Sequence, residues 1–145
     1  MGNRVSTEIA RLLTERKLLK ANISKDIILK EIESAQTDLQ DAQDSLQQNK
    51  FKWATIQGYY SIFHSARALL FSKGLREKSH YALLLAMREL YPKELGSSLI
   101  HQFEEAMGLR QEADYGLKFS ETGAIDTIDG AKSFLKKSKE ILKLN

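Results

Sequence analysis

The chain has 145 residues, of which 42% are hydrophobic and 28% charged, with one proline and no cysteine. That size fits one domain burying its own core, and the missing cysteines exclude disulfide staples, thiol nucleophiles and thiolate metal sites, which suits a reducing cytoplasm. The formal net charge of +3 is too mild to announce a nucleic-acid binder by itself.

Valine-rich alternating runs are absent and proline is confined to Pro92, so an all-α chain is expected. The opening MGNRVS matches the short myristoylation pattern at Gly2 and Ser6, but such a pattern recurs by chance and the segment is read as a frayed N-terminus. No signal peptide is visible. Ser6 or Thr7 can cap a first helix running to about Lys20, with Ile9, Leu12, Leu13 and Leu19 inward. Ala21 to Ser24 forms the break. A second helix, about Lys25 to Gln48, carries Ile28, Ile32, Ala35, Leu39, Ala42 and Leu46 at alternating spacings of four and three, a seam for near-parallel packing. Asn49 and Lys50 leave room only for a tight reversal.

The third helix, centred on Trp53 to Ser72, is the driest stretch, with Arg67 its only full charge. Ile56, Tyr59, Ile62, Phe63, Ala66, Leu69 and Leu70 form a core-facing arc. Trp53, Gln57, Tyr60, His64, Arg67 and Phe71 form a polar and aromatic seam beside it. The back holds Ala54, Gly58, Ser61, Ser65 and Ser72, small side chains that suit close approach by the fourth helix or by a second subunit. A membrane span of this composition would be costly, so none is expected. Gly74 ends the helix and Ser79 caps a fourth, SHYALLLAMREL, before Pro92. A fifth, about Gly96 to Tyr115, repeats the seam as Leu99, Phe103, Ala106, Arg110, Ala113 and Leu117. After a loop from Gly116 to Gly123, a sixth carries Ile125, Ile128, Ala131, Leu135 and Leu142, with Phe134 and Ile141 beside them. The expected architecture is an antiparallel up-and-down four-helix bundle (second, third, fifth and sixth helices) with two shorter helices, one domain over residues 1–145. Basic residues gather near the two ends (Arg11, Arg16, Lys17, Lys20; Lys132, Lys136, Lys137, Lys139, Lys143), giving one basic face if the ends meet and solvated surfaces otherwise.

Arg110 is the most informative position, because a guanidinium on an apolar seam keeps its proton and must find acceptors. With Asp114 one turn on, it either fixes helix register or forms an anion site, to which Tyr115 and the Tyr60 and His64 seam add donors. His80, after Arg76, Lys78 and Ser79, opens a helix whose free N–H groups offer a second place for an anion. His101 has no polar company. No histidine pair has metal-ligand spacing, no Gly-rich segment has phosphate-loop spacing, and no nucleophile turn is evident, so neither a metal nor a cofactor is expected.

Three ordered blocks, GYYSIFHSARALLFSKGL, KSH and RQEADY, carry a resemblance. The chain resembles the HEPN domain family in its small stand-alone prokaryotic branch, over roughly Gln57 to Tyr115. The resemblance implies a helical up-and-down bundle, a homodimer, and pairing with a minimal nucleotidyltransferase in toxin and antitoxin modules. Some members are metal-independent ribonucleases with an arginine followed, after four to six residues, by a histidine. Here Arg110 fits the arginine, whereas Asp114 and Tyr115 stand where the histidine is expected, and Arg76 to His80 has only three residues between. On this resemblance Arg110 would still bind phosphate, and together with the seam and the capping turn read above the expected phosphate-binding residues are Tyr60, His64, Lys78, His80, Arg110, Asp114 and Tyr115. A nuclease would need Arg110 with His64 or His80 as the proton carrier.

Overall fold

The computed structural model describes residues 6–144; the myristoylation-like opening at Gly2 lies outside them. Six helices follow in order: α1 (Thr7–Thr14), α2 (Lys25–Gln47), α3 (Phe51–Ser72), α4 (His80–Leu90), α5 (Pro92–Gln111) and α6 (Glu121–Ile141). Two three-residue strands, β1 (Leu18–Lys20) and β2 (Leu75–Glu77), pair antiparallel with Leu18 opposite Glu77. The fold is all-helical apart from this ribbon, which the sequence reading missed. The first helix stops at Thr14 because Arg16 takes a left-handed conformation. The Lys17 N–H then reaches the Leu12 carbonyl and the Arg16 N–H that of Leu13, a Schellman closure formed without glycine. Leu18, rather than the expected Leu19, is consequently the fully buried leucine.

α2 packs along α3, α3 packs on α6, and α5 leans on both α3 and α6. The core arc of α3 is buried as expected, with Tyr59, Ile62, Ala66, Leu69 and Leu70 sealed and only Ile56 half-buried. The Ala54, Gly58 and Ser61 part of its small-residue back is covered within the chain by α2 and α6, whereas Ser72 is exposed beside Tyr91 at the end of α4. Ser61 Oγ donates to the Ala35 carbonyl of α2 at 2.8 Å, Ala54 packs with Ala42, Ala124 and Ile128, and a Cβ on Gly58 would come 2.9 Å from Thr127 Cγ2. α1 lies against β1 and α4, whereas α6 lies against α2, α3 and α5, so the two basic segments belong to different packings.

Three boundaries move for local reasons. α5 begins at Pro92, with a break at Gly96, whose φ of 81° and ψ of 156° only glycine adopts readily. It then widens into a π-helical turn (Glu112–Gly116) closed by Leu117 in the left-handed region. Ser120 caps α6 by accepting the Gly123 N–H, so that helix starts before Gly123. The rotation of these ends leaves Leu117 and Ile125, both expected in seams, exposed. No helix among the described residues is long and apolar enough to cross a membrane.

Candidate functional site

The polar seam of α3 divides. Toward its C-terminal half, α2 presents carboxylates: His64 Nδ1 lies 3.3 Å from Glu31 and Nε2 3.6 Å from Asp38. Arg67 reaches Glu31 at 3.3 Å and Glu77 of β2 at 2.9 Å. Burial pushes the Asp38 and Glu77 carboxyls above their ordinary range, with His64 and Arg67 pulling back against it. His64 is therefore turned to an acidic cluster linking α2, α3 and β2, and the expected alignment of His64 with Arg110 is not what the side chains adopt. That the carboxylates of α2 lie along this seam was not visible in the sequence.

Toward its N-terminal half, α3 presents Tyr59 and Tyr60 beneath Arg110. The arginine is only 7% exposed, with its guanidinium carbon 5.3 Å from the Tyr59 ring centre and 5.7 Å from that of Tyr60. Among the described residues its one ion partner is Asp114, through Nη1 at 3.4 Å, and Nε has no hydrogen-bond partner. The hydroxyls of Tyr59 and Tyr115 also stand near the guanidinium, which still keeps an unused donor at Nε, and the aromatic faces hold it in place through cation–π attraction. The π-helical turn just after Arg110 widens the backbone where Asp114 and Tyr115 project. Tyr115 is 78% exposed.

His80 completes the cluster from α4. Ser79 caps that helix by accepting the Ala82 N–H at 3.0 Å, which places His80 at the first helical position, beside the positive end of the helix dipole. Its ring stacks on Phe63 at 4.4 Å and on Tyr59 at 5.7 Å, and meets Tyr60 edge-on at 6.1 Å. The Tyr59 hydroxyl and His80 Nδ1 are 2.6 Å apart. Burial first, then the charges of Arg110 and Arg67, lowers the His80 pKa below the usual histidine value. Burial raises that of the Tyr59 phenol, so it keeps its proton.

Of the residues singled out in the sequence, the fold thus brings Tyr60, His80, Arg110 and Asp114 together and leaves His64 with the α2 carboxylates. Lys78 is exposed, and its backbone N–H is taken by the Lys17 carbonyl at 3.0 Å, continuing the ribbon. Sequence reasoning missed Tyr59, which was assigned only to the core arc, and Phe63, the ring on which His80 stacks. The tyrosine doublet was the available signal: adjacent helical positions point about 100° apart, so one ring can face the core while the other faces the seam.

Comparison with known proteins adds a lineage to this geometry. The family model described as the HEPN domain matches residues 29–144. The chain is 34% identical over 134 residues to a Methanocaldococcus jannaschii protein named "Putative toxin MJ0605", covering 86% of this chain and 98% of that one. It is 30% identical over 118 residues to an Archaeoglobus fulgidus "UPF0332 protein", covering 79% and 94% respectively. The crystal structure of TT1696 from Thermus thermophilus superposes with a TM-score of 0.68 over 78% of this chain and 96% of that one. At 16% identity that likeness speaks for the fold alone. With nearly the whole of α2 to α6 inside the matched region, the chain belongs to the HEPN domain family.

Proposed function

We propose that the protein binds the phosphate of a nucleotide or RNA at the Arg110 cluster, as the HEPN partner of a minimal nucleotidyltransferase in a toxin and antitoxin module. The observation that carries the phosphate site is Arg110 itself. A guanidinium buried on two aromatic rings, with Nε unpartnered among the described residues and Asp114 at 3.4 Å, keeps its charge and has donors left over that an anion can accept. His80 adds a second donor, Tyr60 a ring on which a base can stack, and Asp114 a hold on the arginine; Lys78 and Tyr115 stand at the rim. His64 belongs to the ion cluster rather than to the anion. The relative's toxin name supports the module reading, and a cytoplasmic homodimer of one-domain subunits is the form in which the protein acts.

Replacing Arg110 with Ala should weaken inorganic phosphate and adenosine monophosphate binding about ten- to a hundredfold, the range for losing charge-assisted hydrogen bonds. Unchanged affinity in isothermal titration would defeat the site. Co-purification of a nucleotidyltransferase encoded beside the gene tests the partnership, and sedimentation across the micromolar range tests the dimer.

A second reading, a metal-independent ribonuclease, is favoured by one specific observation. His80 reaches the Arg110 side of α3 although its position in the chain does not fit the arginine-to-histidine spacing, so arginine and imidazole share one cluster. RNA incubated with the full chain in chelator should be cut if this reading holds. Intact RNA at high protein concentration excludes it.

A further inference from the structure

We infer that Tyr59 is a positioning residue that locks His80 in a single tautomer, with Nδ1 as the acceptor and Nε2 carrying the proton, so that the imidazole meets an anion as a donor. The inference rests on the anion site described above and specifies how its second donor works.

Tyr59 is fully buried, and its hydroxyl holds one proton that must be given to an acceptor or stay unsatisfied. Among the described residues the one acceptor within hydrogen-bond distance of the hydroxyl is His80 Nδ1, at 2.6 Å. The neighbour on its other side is the guanidinium of Arg110, 5.3 Å from the ring centre, which offers only donors. If Nδ1 carried the proton, it would donate to the Tyr59 oxygen and the phenol's own proton would have no acceptor. The satisfied arrangement sends the phenol proton to Nδ1, and neutral imidazole then bears its own proton on Nε2.

Stacking fixes the ring as well as the proton. Phe63 and Tyr59 lie against the His80 ring at interplanar angles of 25° and 16°, and Tyr60 closes the edge at 81°. Nε2 makes no hydrogen bond to any described residue, and it is not among the sealed polar atoms that lack a partner. That nitrogen is therefore the one left for a ligand. Tyr60 touches both sides, 6.1 Å from the His80 ring centre and 5.7 Å from the Arg110 guanidinium carbon. An anion at Arg110 thus has the Nε2–H within the same aromatic enclosure. Protonating the imidazole leaves the Nε2–H in place, with the Tyr59 oxygen then accepting from Nδ1. In either state His80 offers a phosphate oxygen a proton and offers a ribose hydroxyl no lone pair.

Long-range proton–nitrogen correlation spectra of the full chain, labelled with nitrogen-15, read the tautomer directly. Recorded at pH 8, with His80 identified as the ring lost in His80→Gln, they should show a bare Nδ1 and a protonated Nε2. Tyr59→Phe, which keeps the ring and its packing, should release the preference and let proton appear on Nδ1, and it should weaken inorganic phosphate binding about three- to tenfold, the worth of one hydrogen bond. A protonated Nδ1 in the unaltered protein overturns the inference without any variant, as does a Tyr59→Phe spectrum in which the tautomer is unchanged. The fate of the wider reading is separable. A locked tautomer in a protein that binds no phosphate keeps the role of Tyr59 and removes the anion site, whereas phosphate binding with mixed tautomers does the reverse.

Discussion

Arg110 and His80 sit on the same pair of tyrosines, yet burial acts on them in opposite ways. Arginine cannot yield its proton, so the cost of desolvation stays with it and becomes an affinity for anions. Histidine can yield, and burial, the nearby Arg110 and the start of α4 together hold it neutral. The sign of the pH effect follows. Because the folded pKa lies below the ordinary value near 6.5, the unfolded chain binds more protons in the window between the two. Stability from this group is complete above about pH 6.5 and is lost as pH falls through the folded value. Asp38 and Glu77, raised by burial, work the other way, so their contribution has to be subtracted. Urea unfolding of the unaltered protein and of His80→Gln at pH 7.5 and pH 5.5 makes that subtraction. The unaltered protein should lose stability relative to the variant on acidification, and a difference that stays constant would remove His80 from the buried titrating groups.

At the scale of elements, what the sequence made legible depended on how local the cause was. The buried faces of α2, α3 and α6 follow from side-chain period alone, and Ser6 and Ser79 mark two helix starts through their own hydroxyls, whereas the cap that Ser120 gives α6 went unread. The end of α1 had no such mark, because its left-handed residue is Arg16 rather than glycine, and β1 exists only because β2, far along the chain, stands ready to pair with it. The same limit hid the site. Arg110 was conspicuous as a charge on an apolar seam, whereas its joining to His80 depended on where α4 starts relative to α3. Glycines give a quantitative test of local against tertiary causes. A methyl group added to Gly108, on an open face of α5, would meet nothing within 4 Å, while one on Gly58 would press on Thr127 Cγ2 at 2.9 Å. Thr127 cannot easily turn away, since its hydroxyl donates to the Gly123 carbonyl at 2.8 Å. Gly108→Ala should therefore stabilise by about 0.5–1 kcal/mol through helix propensity. Gly58→Ala should destabilise, because an overpacking cost of about 1–3 kcal/mol outweighs that gain. Equal and favourable shifts in both would mean that α3 and α6 are not in close contact.

At the scale of the whole molecule, the helices are tied to the ribbon by one arginine. Arg67 lies between Glu31 on α2 and Glu77 on β2 and packs over the rings of Phe63 and Phe71 at 5.6 and 5.1 Å. The side chain of Glu77 is 6% exposed and that of Glu31 12%, so removing the cation strands the nearly sealed Glu77 carboxylate and leaves Glu31 with His64 alone. Breaking a fully buried pair costs about 3–5 kcal/mol. Arg67 is itself 26% exposed, and water reaching its head reduces the expected loss for Arg67→Met to about 2–3 kcal/mol. The methionine stem keeps the contact with both phenylalanine rings, so the loss reports charge rather than packing. Two further results follow if that is the cause. Adding Glu77→Gln to Arg67→Met should recover part of the stability, since the most buried of the stranded charges is then gone. Moving the single variant from pH 7.5 to pH 5.5 should also stabilise it relative to the unaltered protein, because the Glu77 pKa, already raised by burial, loses the cation that restrains it and rises further. Chemical denaturation of the three proteins at both values measures all of this. A double variant no more stable than Arg67→Met, with no response to acid, would show that the cluster is a solvated surface network and that β2 is held by its pairing with β1 and by Leu75 in the core.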